Sequence, residues 1–142
     1  MFGFLSKLFG SASNQPPVTK RKDPNRVRRL RGDGEFSVKA AGTSHYQEAL
    51  LAIKDGFRKN QYPDFLIEVV PQPDNPHDPS ALQLMRDGSL LGYIPAEITS
   101  EIHEALKRVG QDGQACKVLA RLVGHREKSL GLRLNMERPA RF

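Results

Sequence analysis

Apolar and polar positions alternate along six short runs of this 142-residue chain, and two stripes at helical spacing separate them. Phe36-Ser-Val38-Lys-Ala40 alternates and predicts a strand that ends at Gly42. Phe65-Leu-Ile-Glu-Val-Val70 predicts a second. Ala81–Met85 and Leu90–Ile94 flank Asp87-Gly88, a dipeptide suited to a tight hairpin turn. Ala115–Val123 and Leu130–Leu134 supply two closing strands around Gly124-His-Arg-Glu-Lys-Ser129. Between the first two runs, Tyr46, Ala49, Leu50 and Ile53 share one helical face. Thr43 or Ser44 is placed to cap this helix, predicted over His45–Asp55, and Gly56 to stop it. Pro95 opens a second helix whose Ile98, Ile102, Ala105, Leu106 and Val109 form one stripe, and Gly110 ends it. The expected fold is mainly β (α+β): a small six-stranded β-barrel with two helices, which deals with sheet edges by closure.

The region before Glu35 has a different character. Phe2, Phe4, Leu5, Leu8 and Phe9 suit a short amphipathic segment over residues 1–10, a possible docking site for a protein partner or a membrane surface. Ser11–Thr19 is a linker by composition, and together with the basic run it makes a flexible stretch over 11–34. Lys20, Arg21, Lys22, Arg26, Arg28, Arg29 and Arg31 stand against a single acid, Asp23, and show no apolar periodicity. Such a run is expected to be disordered in isolation and to attract polyanions with steep salt dependence. The folded domain is expected over 35–137, with a tail at 138–142. From residue 32 onward fourteen Lys/Arg meet fifteen Asp/Glu, so the net charge of +6 belongs to the arm and not to the body. Cys116 is the sole cysteine, which excludes an internal disulfide, and it sits in an apolar alternation as a small buried hydrophobe. With no run long enough to span a membrane and no signal-like opening, a cytoplasmic location is expected.

The densest chemistry lies in Asp74-Asn75-Pro76-His77-Asp78-Pro79-Ser80-Ala81, followed by Gly92-Tyr93-Ile94-Pro95. Two prolines fix φ and push their predecessors toward extended geometry, so the polar groups between them point in set directions. A stiff polar loop between two strands is one way a β scaffold presents a binding site. The plainer reading is a turn in which Asp74, Asn75 and Asp78 satisfy their own backbone.

Together with Val38-Lys-Ala-Ala-Gly42-Thr-Ser-His-Tyr46, this box and its downstream Gly-Tyr-Ile-Pro resemble the HIRAN domain over about residues 36–136. The resemblance implies an OB-like barrel that binds single-stranded DNA, particularly a free 3′ end, within proteins often fused to helicase domains. By that resemblance Asp78 accepts the terminal 3′-hydroxyl, Asn75 lines the pocket and His77 takes the place of a stacking aromatic. Tyr46 and His45 flank the mouth, and Tyr93 meets phosphate. Departures run in one direction: His77 stands where the family's DNA-end readers have Tyr, Ser44 and His45 where they have Arg and Tyr, and Ala96 where they have Lys. Each lost cation removes a phosphate contact, and the basic arm is the natural compensation.

Other chemistries are weaker. The imidazoles have no metal-ligand spacing, and His103 and His125 read as solvated surface residues. No nucleotide-hydrolysing or Ser-His-Asp signature is present, so neither a cofactor nor an enzymatic activity is expected. A protein-interaction adaptor using the same pocket is the main alternative, and a metal-dependent hydrolase acting on phosphoanhydrides the lesser one.

Overall fold

The structure is a computed structural model that describes residues 27–59, 61–124 and 128–142. The amphipathic segment Phe2–Phe9 and Lys20, Arg21, Lys22 and Arg26 of the arm lie outside the described residues, as does His125.

Among the described residues, seven strands build one curled sheet: β1 (Arg28–Arg29), β2 (Val38–Lys39), β3 (Phe65–Pro71), β4 (Leu82–Arg86), β5 (Ser89–Tyr93), β6 (Cys116–Gly124) and β7 (Leu130–Asn135). Their order is β2-β7-β6-β3-β4-β5, antiparallel throughout, with β1 added in parallel to β6. The two ends of that order meet at one rung. Ala41 and Tyr93 exchange backbone bonds of 2.8 and 2.9 Å, which closes the curl where β2 ends beside β5. The expectation of a small, mainly β barrel with two helices therefore holds, with one short strand added.

Alternation produces this sheet as expected. Along β6, Cys116, Val118, Ala120 and Leu122 are buried, and along β7, Leu130, Leu132 and Leu134. These side chains meet Ile67, Val69, Leu82, Leu84 and Leu91 in a single core. Cys116 lies inside it, and burial pushes its thiol up to about 12. The β4–β5 turn has Asp87 and Gly88 at φ 51° and 82°, the left-handed pair that matches the twist of a two-residue hairpin. Pairing slips between Leu84↔Gly92 and Met85↔Leu90, so Leu91 is an extra residue on β5. A bulge of this kind re-aims the residues after it. Here the paired residues that follow are Gly92, opposite Leu84, and Tyr93, opposite Gln83.

Helix α1 spans Gln47–Asp55, and α2 Thr99–Arg108. Neither starts as the sequence suggested. Gly42, at φ 71°, turns the chain into a 3-10 turn at Thr43–His45, and no side chain caps α1. Gln47 takes over the anchoring role. Its amide nitrogen donates to the carbonyls of Thr43 and Leu130 (2.8 Å each), and its amide oxygen accepts from the Leu130 N–H. Before α2, Pro95 leads into a 3-10 turn at Ala96–Ile98. The apolar stripe Ile98, Ile102, Ala105 and Leu106 is buried as read.

Both expected domain limits need correction. The flexible arm was expected to run to residue 34, yet Arg28 and Arg29 pair with Cys116 and Lys117, and Leu30 is buried. A single leucine among arginines carries no periodicity, and its burial fixes the segment. Leu30 N–H donates to the Lys117 carbonyl, Arg31 N–H donates to the Arg141 carbonyl, and the Arg31 carbonyl accepts the Glu137 N–H. The tail expected at 138–142 is also packed. Ala140 is buried, Phe142 rests on the core, and the Glu101 carboxylate forks onto Arg138 while accepting the Ala140 N–H.

Candidate functional site

The box is the connection from β3 to β4, and it is locked by its own side chains. The Asn75 amide oxygen accepts the N–H groups of His77 (2.8 Å) and Asp78 (3.0 Å). Its amide nitrogen donates to Gln72 Oε1 at 2.9 Å. Asp78 Oδ1 accepts both the N–H (2.9 Å) and the hydroxyl (2.6 Å) of Ser80. Backbone bonds from Gln72 N–H to the Ala81 carbonyl and from Ala81 N–H to the Asp78 carbonyl close the loop. The plainer reading of a self-satisfied turn is thus correct for Asn75 and for one oxygen of Asp78.

That lock has two consequences. Asn75 holds the loop rather than offering an open amide. Asp78 stays a carboxylate: the Ser80 hydroxyl and N–H hold it below its usual range, with a smaller pull from His103. Both Ser80 bonds fall on Oδ1, which leaves Oδ2 for a further donor.

Gln72 joins the box to the tyrosines. Its Oε1 accepts from the Tyr93 hydroxyl at 3.1 Å as well as from Asn75. The Tyr93 ring lies 6.4 Å from Tyr46, which in turn meets His45 edge-on at 6.3 Å. Burial and then the neighbouring Tyr93 hold the Tyr46 phenol above its ordinary value. Gln72 thus links Asn75 to Tyr93, whose ring neighbours Tyr46 and then His45, and Asp78 belongs to the same loop as Asn75. The His77 side chain is exposed, with only its backbone N–H taken by Asn75.

Two participants escaped the sequence reading. Gln72 carries no motif, and only its position at the end of β3 could have drawn attention. His103, read as a solvated surface residue, places Nε2 2.8 Å from the Ser80 carbonyl and so ties α2 to the box.

Of the expected arm contacts, Arg29 and Arg31 are exposed, whereas Arg28 is half-buried at the sheet with its Nε fully covered. Arg28 is thus a strand residue rather than a free arm cation. No group of three or more His, Cys, Asp or Glu suited to a metal occurs among the described residues. No described helix is long and apolar enough to cross a membrane.

A curled, mainly β sheet that closes beside a stiff polar corner defines a small binding module. The HIRAN domain matches the chain over residues 33–140, and the chain belongs to that family. HIRAN domains are generally nucleic-acid-binding modules. Neither the curated proteins nor the solved structures gave a match.

Proposed function

We propose that this chain binds single-stranded DNA at a free 3′ end, without chemistry of its own. The observation that carries this reading is the ionised Asp78 with Oδ2 unused, in a loop tied through Gln72 to the Tyr93 hydroxyl. A terminal 3′-hydroxyl is a donor suited to that oxygen. A 3′-phosphate is an anion that the same carboxylate repels. Tyr46, Tyr93 and the exposed His77 offer ring faces to the last bases, and base–ring stacking tolerates any sequence. The arm cations Lys20, Arg21, Lys22 and Arg26, with Arg29 and Arg31, add sequence-independent affinity for the backbone.

Fluorescence anisotropy with matched 3′-hydroxyl and 3′-phosphate oligonucleotides tests this. Tighter binding of the 3′-hydroxyl form, lost in Asp78→Ala, is the expected result. Equal binding of both forms by wild type and variant would leave only charge attraction.

A further inference from the structure

The register of the sheet lines up cations that no motif assigns. Lys39 on β2 lies opposite Arg133 on β7, and Arg133 lies opposite Arg121 on β6. Residues paired across strands share a face, and these three alternate with the buried Val38, Leu134 and Ala120. All three side chains therefore lie on the outer face of the sheet, spaced by neighbouring strands about 4.8 Å apart. Like charges placed directly opposite destabilise a sheet. Among the described residues only one of the three has an acidic partner: Arg121 forks onto Asp64 at 2.9 and 3.2 Å. Its guanidinium also lies over Phe36, 3.8 Å from the ring centroid, so one face rests on a ring while the side chain stays half-exposed.

This row starts beside the box. Lys39 precedes by two residues Ala41, which forms the closing rung with Tyr93. Two residues of strand are about 6.7 Å. A cleft of about 380 Å³ adjoins the row here, with Lys39 and Arg138 on its walls beside Pro95 and Glu97. From Tyr93 the outer face thus offers Lys39, then Arg133, then Arg121, one strand at a time. Two residues along β6 from Arg121 lies Leu119, paired with the exposed Leu66 of β3.

We propose that Lys39, Arg133 and Arg121 form a track for the phosphodiester backbone of the strand whose end lies at the box. The inference rests on the end-binding reading above and adds the route that the strand takes away from it. Lys39 and Arg133 meet successive phosphates. Arg121, held by Asp64 and Phe36, presents its free guanidinium face to a base. Consecutive cations at strand spacing suit a single polyanionic chain, and the unrelieved Lys39–Arg133 repulsion is relieved when phosphates intervene.

The test is a salt titration of 15-nucleotide oligo(dT), with 3′-hydroxyl and 3′-phosphate ends, against the full chain and a Lys39→Gln/Arg133→Gln variant. Arg58→Gln/Lys59→Gln, which removes two exposed cations just beyond α1, is the charge-matched control. The track variant is expected to bind both oligonucleotides about tenfold more weakly at low salt. Its slope of log affinity against log salt should shrink by about 1.4, or about 0.7 for each phosphate of a single strand that is no longer neutralised. The control should keep the wild-type slope. Because a like-charge pair has been removed, the melting temperature of the track variant should stay level or rise. A slope equal to that of wild type, or an equal change in the control, would overturn the track. If the wild type fails to distinguish the two ends while the slope still falls only in the track variant, the end-binding reading is lost and the track stands.

Discussion

Helix α1 has two ends that border very different surfaces. Toward its C-terminus a cleft of about 410 Å³ opens against the β4–β5 hairpin, walled by Ala52, Ile53, Phe57, Arg86 and Leu91 among others. Nearby rings pack on one another, with Phe57 5.9 Å from Phe65 and 6.4 Å from Tyr62. At the N-terminus the surface carries Tyr46, Tyr93, Gln72 and the locked box, joined by hydrogen bonds and ring packing. The cleft thus sets apolar side chains beside Arg86 and Asp87, whereas the hydrogen-bonded network sits at an open corner. For a ligand as extended as a nucleic-acid strand the second arrangement is the better one: a chain needs fixed groups along its path rather than an enclosing volume.

The sharpest way to separate the two ends is to damage the first. Phe57→Ala removes a ring packed against the core, and it should lower unfolding free energy by about 2–3 kcal/mol in urea denaturation. The preference for a 3′-hydroxyl should survive. Losing that preference at full stability would mean that the cleft takes part in binding.

Asp78→Ala should invert the pattern. End affinity is expected to fall about tenfold, the scale of one hydrogen bond to a charged group, with a small drop in melting temperature from the two lost Ser80 bonds. Asn75→Ala lies between the two, because it releases two backbone donors and the link to Gln72. About 1–2 kcal/mol of stability should go, along with part of the end preference as the loop slackens. A variant as tight-binding as wild type would show that the lock is unrelated to recognition.

Proton titration offers a gentler probe. The folded-state value of Asp78 is lowered, so its stabilising bonds are fully present above the ordinary carboxylate value near 3.8. They are lost as pH falls through the lower folded value. The difference between wild type and Asp78→Ala in affinity for the 3′-hydroxyl oligonucleotide should therefore hold from pH 7 to about 5 and collapse only in strong acid. A midpoint above pH 5 would contradict an Asp78 held by Ser80. The smallest effect is expected from His103→Ala, which removes one exposed bond to the Ser80 carbonyl and should cost about 0.5–1 kcal/mol in thermal melts.

Much of the sheet was legible because alternation is a strong signal wherever one face is buried. β3, β6 and β7 follow it closely, and Asp87-Gly88 announced its own turn. The box was legible as a stiff polar loop, and its resemblance to HIRAN sequences brought Tyr46 and Tyr93 to it. What escaped depends on partners distant in the chain. β1 is two arginines ahead of the buried Leu30, and only its pairing with β6 makes it a strand. Gln72 and Gln47 are ordinary glutamines until folding gives each of them its bonds. The cation row is invisible in one dimension because Lys39, Arg121 and Arg133 meet only through register.

The rung between Ala41 and Tyr93 also bears on folding. Its partners are far apart in sequence, so the loop it closes is entropically expensive until the intervening strands have paired. There is little room at that seam: a methyl group on Gly92 would approach the Ala41 carbonyl oxygen to 2.9 Å. The hairpin carries Tyr93 with the locked loop, and closing the seam brings Tyr46 beside it. The two tyrosines therefore stand side by side next to the box only in a chain whose sheet has finished closing.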